Sequence, residues 1–96
     1  MMGAHLCHVP GCRTATPPRL LMCPAHWRLV PDDIQREVYA TVGKRGRLID
    51  ASWAAWWRAQ TKATHAVMQA EGREPEKLAR WFEREMRVAD EMEKRT

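Results

Sequence analysis

Apolar residues in the second half of the chain recur at helical spacing and predict two long helices joined by a short loop. Asp50 can cap the first, over residues 51–71, and Gly72 can end it, while Pro75 suits the first turn of the second. The apolar positions of the first helix share one side: Trp53, Trp56, Trp57, Ala63, Val67 and Ala70. Those of the second form a broader stripe: Leu78, Trp81, Phe82, Val88, Ala89 and Met92. Residues 50–96 are therefore predicted to fold as an αα-hairpin.

The polar positions of these helices predict which side chains face solvent. In the first helix they fall opposite the apolar side, and they are Arg58, Lys62, His65 and Gln69. His65 is accordingly expected at the surface. In the second helix, Glu85 lies inside the apolar stripe, so its carboxylate must find a partner or interrupt the packed face.

A third, shorter amphipathic segment precedes the hairpin. Asp32 can cap a helix that starts at Asp33, with Gln35 in the capping-box position and Gly43 as terminator. The apolar positions repeat every four residues, at Ile34, Val38 and Val42. This stripe is predicted to pack against the N-terminal part of the chain.

Residues 1–31 differ from the rest because their apolar residues keep no period and prolines interrupt them. A chain of 96 residues is predicted to form one domain, 1–96, whose core is modest in size. A cross-link or metal would stabilise its least hydrophobic part. We therefore expect a metal-binding module at 1–31, a short helix at 32–43, a basic loop at 44–49 and the helical hairpin at 50–96.

Three cysteines and a histidine supply the chemistry of the N-terminal module. Cys7 and Cys12 have C-x4-C spacing, and Cys23 and His26 follow as C-x2-H, which completes a Cys3His set of tetrahedral zinc ligands. With four protein ligands the ion, Zn²⁺, would be structural. Two alternatives stay open: His5 or His8 could replace a ligand, or the cysteines could be small buried apolar residues.

The residues around these ligands predict how the site is built. Pro10 and Gly11 can bend the chain between the first two cysteines into a knuckle. Pro24 suits the first position of a short helix with Cys23 as its N-cap, which places His26 on the same face. The apolar residues before this helix are expected under the metal: Leu20, Leu21 and Met22. The predicted fold class is mostly α, with a treble-clef-like knuckle before the short helix and the hairpin.

Composition and charge restrict the classes of function. The formal net charge is +4, and the whole basic excess lies before residue 48. The N-terminus has neither the basic nor the apolar region of a signal peptide, and no apolar run reaches the roughly 20 residues of a membrane span. A cytoplasmic protein is expected, and there the odd cysteine count favours metal or a free reactive thiol over disulfides.

The string CH..GC....PP....CP.HW...P, carried by residues 7–31, resembles a group of small phage and prophage proteins of zinc-finger type. The resemblance extends to residue 42 at most. It implies zinc on Cys7, Cys12, Cys23 and His26 and a phage or prophage origin, which would place the protein in a bacterial host cytoplasm. Those relatives often continue with a PGQ turn, whereas this chain has GKRGR at 43–47. The resemblance implies no particular activity.

No catalytic motif stands out, since the chain lacks a P-loop, a nucleophile motif and a deaminase signature. We therefore expect a protein that is not an enzyme. Our first hypothesis is a phage-type protein that binds a host protein and modulates or inhibits it, with nucleic-acid-processing or defence machinery as target. Its contact residues would be the exposed members of the hairpin's apolar stripes, and self-association through the hairpin is a further possibility. The candidates are Trp53, Trp57, Trp81 and Met92.

The alternative hypothesis is a zinc-finger protein that binds DNA or RNA directly in phage gene regulation. Its support is the basic N-terminal half, in which six side chains could form one phosphate-binding surface. They are Arg13, Arg19, Arg28, Lys44, Arg45 and Arg47. No helix shows the run of basic and amide side chains that reading bases in the major groove would require.

Overall fold

The computed structural model describes residues 5–16, 20–41 and 53–95, and it is mostly helical. Two short strands come first, β1 (His5–Leu6) and β2 (Ala15–Thr16). Four helices follow, and they are α1 (Pro24–Trp27), α2 (Asp32–Thr41), α3 (Trp53–Ala70) and α4 (Pro75–Lys94). Within the described residues, no helix is long and apolar enough to cross a membrane.

The two strands form an antiparallel pair that the sequence did not predict. His5 lies opposite Thr16, and the Cys7 amide extends the pair by donating to the Thr14 carbonyl at 3.0 Å. Strands of two residues are too short to show a period, so the pattern of apolar positions could not reveal them. Between the strands, Gly11 has φ of +90°, which permits the turn that was predicted there.

Helix α1 confirms the predicted start of a helix at the second pair of ligands. Cys23 has extended backbone angles as the N-cap residue, and Pro24 occupies the first helical position. The helix is a single turn. After it, the backbone amide of Leu29 donates a hydrogen bond to the His26 carbonyl, and that of Val30 donates to the Trp27 carbonyl. One turn suffices to place His26 above Cys23.

Helix α2 begins one residue earlier than predicted, at Asp32, and the predicted capping box is wrong. The Gln35 side chain does not return to the start of the helix; its Nε2 donates to the Trp27 carbonyl of α1 at 3.0 Å. The Gln35 side chain, which the sequence assigned to the cap of α2, therefore bonds to α1 instead. Val38 is buried as expected, whereas Val42 and the terminator Gly43 lie outside the described residues.

Helix α3 is central, because it packs against both α2 and α4 and also contacts His8, in the segment between β1 and β2. The prediction of one solvated polar face is consequently wrong in part. His65 packs on Phe82 of α4 with ring centroids 4.5 Å apart, and Arg58 pairs with Asp90 of α4 at 2.7 Å. Uncharged polar residues even enter the core, and they are Gln60, Thr61 and Thr64. The predicted cap, Asp50, lies outside the described residues.

The turn between α3 and α4 follows the predicted chemistry. Gly72 ends α3 with φ of +76°, and its amide donates to the Gln69 carbonyl at 3.0 Å. Glu74 caps α4, since its carboxylate accepts from the amides of Glu76 and Lys77, and Pro75 takes the first position. Local hydrogen bonds thus fix this short turn, and α4 packs alongside α3 as predicted.

One cluster of buried residues joins the N-terminal segment to the helices. From residues 7–38 it includes Cys7, Val9, Met22, Cys23, Val30 and Val38. From α3 and α4 it includes Ala59, Ala63, Val67, Met68 and Leu78. The cysteines therefore lie at the edge of the same core that the helices share.

Glu85 is half-buried in α4, at the position where the sequence placed it within the apolar stripe.

Candidate metal centre

The four residues singled out by spacing come together in space. The sulfur atoms of Cys7, Cys12 and Cys23 and a ring nitrogen of His26 all lie within 4.8 Å of one another. Cys7 and Cys23 are buried, whereas Cys12 and His26 are partly accessible. The group could hold one metal ion, as the sequence predicted, and all three cysteines are free thiols.

Three local structures position the four candidate ligands. Cys7 follows β1, and Cys12 follows the turn at Gly11, where its amide donates to the Val9 carbonyl at 3.0 Å. Cys23 and His26 come from the single turn of α1. The strands, the turn and the helix start therefore converge on one point, and the treble-clef-like arrangement stays a prediction.

The distances suit coordination by four ligands. The Nδ1 atom of His26 lies 3.4 Å from the Cys7 sulfur and 3.3 Å from the Cys23 sulfur. In a tetrahedral site with metal–sulfur and metal–nitrogen bonds of typical length, ligand atoms of these two kinds are about 3.5 Å apart. Nδ1, rather than Nε2, is the nitrogen that faces the sulfurs.

Backbone amides and a hydroxyl shape the protonation of the thiols. Burial raises the pKa of the Cys7 thiol to about 11, although amides of Val9 and Cys23 donate to its sulfur and oppose this rise. Hydrogen bonds with the Thr14 hydroxyl and amide lower the pKa of Cys12 to about 7. Two of these amides, Val9 and Thr14, lie two residues after the cysteine that each contacts, an arrangement that favours a thiolate.

A carboxylate from the far end of α3 completes the surroundings of the histidine. The Nε2 atom of His26 is 3.0 Å from Oε2 of Glu71. The other oxygen of Glu71 accepts from Arg73, at 3.0 Å from Nη2 and 3.2 Å from Nε. Arg73 also donates to the Pro10 carbonyl at 2.7 Å. Burial alone would raise the pKa of Glu71, but hydrogen bonds from Arg73 and His26 lower it below its ordinary value.

Glu71 and Arg73 are the residues of this site that sequence reasoning missed. They lie in the turn that ends α3, and in sequence they read only as part of the helix-breaking segment EGREPEK. Nothing in their spacing points to His26, which is 45 residues away. Only the packing of α3 against the N-terminal segment brings them to the site.

The two alternative ligands, His5 and His8, contact other groups. His5 lies across from β2, with its Nε2 atom 2.8 Å from the Leu20 carbonyl. Nδ1 of His8 is 3.2 Å from Oε1 of Gln60, and its ring meets Trp56 edge-on with centroids 5.9 Å apart. Burial lowers the pKa of His8. His8 therefore contacts α3, and neither histidine belongs to the four-residue group.

The predicted phosphate-binding surface is described only in part. Arg13 and Arg28 are both exposed, one after Cys12 and the other at the end of α1. The remaining four candidates lie outside the described residues, and they are Arg19, Lys44, Arg45 and Arg47. A common surface for the six side chains therefore stays a prediction.

The predicted partner-binding residues differ in exposure. Trp53 is 64% exposed at the start of α3. Trp57, Trp81 and Met92 are half-buried, and Trp81 packs against the core. The indole N–H of Trp57 is buried without a hydrogen-bond partner in the described part of the chain. Trp53 is thus the residue of this set that presents the largest free surface.

Comparisons with known proteins gave no match, whether to a family model, to a curated protein or to a solved structure.

Proposed function

We propose that the four-residue group binds one structural Zn²⁺ ion. Three thiolates and one imidazole are a typical donor set for this ion, and four protein ligands leave no coordination position for water or substrate. The closely spaced donor atoms and the amides directed at Cys7 and Cys12 support this assignment. Such an ion stabilises the fold and carries out no reaction, in keeping with a protein that is not an enzyme.

The function that we propose is binding to a host protein, whose activity the chain modulates or inhibits. The proposal takes up the resemblance to phage-type proteins and names nucleic-acid-processing or defence proteins of the host as the target class. The observation that carries it is Trp53, a large apolar ring with 64% of its surface exposed. Rigid aromatic rings of this kind are over-represented among the residues that dominate protein interfaces.

Trp53 is one member of an aromatic cluster, which consists of Trp53, Trp56 and Trp57. Consecutive rings meet edge-on, with centroids 6.0 Å and 6.1 Å apart. The exposed ring of Trp53 packs against the half-buried Trp56, which in turn packs against Trp57, and this contact restricts its orientation and so reduces the entropy lost on binding.

The metal site supports the aromatic cluster through His8. This residue directly follows a metal ligand, and its ring contacts Trp56 while its Nδ1 faces Gln60. Zinc would order the loop that carries His8 and so hold one side of the cluster. This link gives the metal a role in a protein that binds a partner, and it requires no catalysis.

The experiment is recovery of the tagged, zinc-loaded protein from a bacterial host, with nuclease treatment of half of the eluate. We expect a host protein in stoichiometric amount that survives nuclease, is lost with Trp53→Ala, and is kept with Leu29→Ala. Leu29 is the matched control because it is another exposed apolar residue, 43% exposed, at the end of α1. Retention of the partner by Trp53→Ala would remove the aromatic cluster from the proposal.

The same experiment separates the alternative function. If the co-purifying material disappears with nuclease, nucleic acid is the partner and the host-protein proposal is wrong. Binding should then fall steeply with salt and weaken in Arg13→Ala and Arg28→Ala, because contacts to phosphate release counterions.

A further inference from the structure

We infer that Glu71 is an outer-shell carboxylate of the metal centre, which fixes the ring orientation and tautomer of His26 and makes the α3–α4 turn part of the site. The inference rests on the proposed binding of zinc. It concerns a residue outside the Cys3His set, and it gives the metal a structural connection to the helical hairpin.

The two ring nitrogens of His26 face different groups. Nδ1 points at the sulfurs, whereas Nε2 lies 3.0 Å from a carboxylate oxygen. A histidine that binds metal through Nδ1 is neutral, so its remaining proton is on Nε2 and needs an acceptor. Glu71 is that acceptor. Histidine ligands are regularly held this way, because the second hydrogen bond orients the ring and raises its basicity.

Glu71 is itself held in place by Arg73. The two carboxylate oxygens of Glu71 contact different groups. Oε2 faces His26, and Oε1 accepts two hydrogen bonds from the guanidinium of Arg73. A zinc ion bound to three thiolates carries a net charge of about −1, so a second negative group beside it would be unfavourable without a cation. Arg73 supplies that positive charge.

Arg73 also contacts the knuckle between Cys7 and Cys12. Its Nη2 donates to the carbonyl of Pro10, which lies between the first two ligands, Cys7 and Cys12. The turn at 71–73 therefore contacts both halves of the donor set, the knuckle through Pro10 and the helical half through His26. Metal binding should order this turn as well as the N-terminal segment.

The test is the zinc affinity of the full chain, measured by competition with a chelator at one fixed pH. We expect Glu71→Ala to lose about 10- to 100-fold in affinity, the range typical of outer-shell partners. Glu71→Gln should lose less, because its amide oxygen can still accept from Nε2. Glu76→Ala is the matched control, since Glu76 is an exposed acidic residue in the first turn of α4.

A ¹⁵N NMR measurement on His26 supplies a readout that general destabilisation would not change. In the zinc-bound wild type we expect a metal-bound Nδ1 and a protonated Nε2. In Glu71→Ala the Nε2 proton should exchange faster with solvent, and Glu71→Gln should partly restore its protection.

The outcomes distinguish the role of Glu71 from the proposal that the four-residue group binds zinc. If the wild type binds no zinc, both fail. If the wild type binds zinc but Glu71→Ala loses less than about fivefold relative to Glu76→Ala, or if Nε2 is the bound nitrogen, Glu71 has no such role and structural zinc stands. Should Glu71→Ala fail to fold, Glu71→Ser decides, because its hydroxyl is too short to reach Nε2: unchanged affinity and unchanged Nε2 proton exchange would overturn the inference.

Discussion

The metal module, described at residues 5–16 and 20–30, and the helical hairpin, residues 53–95, differ in what can stabilise them. The metal module consists of two-residue strands, turns and a single helical turn. Elements so short gain little from local hydrogen bonds, although Val9, Met22 and Val30 are buried in the shared core. The hairpin has helices of 18 and 20 residues, whose buried apolar side chains include Ala63, Val67 and Leu78. The comparison leads us to expect that the first region depends on the proposed metal ion in addition to the shared core, whereas apolar burial alone stabilises the second.

The two regions are nevertheless joined. They share one buried cluster, and polar contacts cross between them from His8 to Gln60 and from Arg73 to Pro10. Unfolding of either region should therefore reduce the stability of the other, but to an unequal degree. The predictions below test that inequality, beginning with the largest expected effect.

Removal of the metal, by chelation or by Cys23→Ser, should unfold the metal module and leave much of the helical signal. Zinc binding to small folded modules contributes on the order of 10 kcal/mol, more than residues 5–30 can replace by packing. Most helical residues lie in α3 and α4, so far-UV circular dichroism should fall only in part. Ala15→Ser, an exposed change in the same β-hairpin, is the control.

Two results would contradict this expectation in different ways. Complete loss of helicity on chelation would show that the hairpin cannot stand without the metal module. Full retention of fold and partner binding by Cys23→Ser would eliminate the structural role of zinc.

Leu78→Ala should produce the converse effect, a loss centred on the hairpin. Leu78 belongs to the buried cluster, and truncation of such a side chain costs about 2–5 kcal/mol. Urea unfolding in excess zinc, followed by circular dichroism, should show this loss while the protein retains one zinc per chain. Leu29→Ala, at an exposed position, should cost less than about 1 kcal/mol. Equal losses in the two variants would mean that α4 is not held by this contact.

A pair of threonine variants in α3 should change stability in opposite directions. The Thr64 hydroxyl is buried without a partner in the described part of the chain, so Thr64→Val should stabilise by about 1 kcal/mol. Thr61 instead accepts from Gln60 at 3.2 Å, and Thr61→Val should destabilise by about 1–2 kcal/mol. Both are measured as the free energy of unfolding in urea. Destabilisation by Thr64→Val equal to that of Thr61→Val would show that the Thr64 hydroxyl is satisfied in solution.

The smallest expected effect is a dependence on pH through His65. Burial lowers its pKa in the folded protein, so the unfolded chain binds a proton that the folded chain does not. Stability should therefore decrease as the pH falls below about 6.5, the ordinary value for histidine, until the folded-state pKa is passed. The measurement is the free energy of unfolding in excess zinc, between pH 8 and 5.

The effect is isolated by comparison with His65→Gln, which lacks the titrating ring while the zinc ligands are the same. The wild type should lose more stability than this variant as the pH falls. Identical pH profiles would show that the contact with Phe82 imposes no penalty on the charged ring.

The sequence by itself determined the features that depend on neighbouring residues. The spacing of cysteines and histidine identified Cys7, Cys12, Cys23 and His26, because ligands brought together by a turn and a helix start must lie close in the chain. Helical periodicity predicted the hairpin, and Gly72 and Pro75 located its turn.

Only the tertiary structure decided what surrounds those features. It placed α3 between two helices, which buried Thr61 and Thr64 and brought His65 onto α4, although periodicity alone assigned one face of α3 to solvent. It also brought Glu71 to His26 across 45 residues. The physical reason is that periodicity reports which positions of a helix are apolar, whereas the number of neighbours around a helix and the polar groups they contribute depend on packing between distant segments.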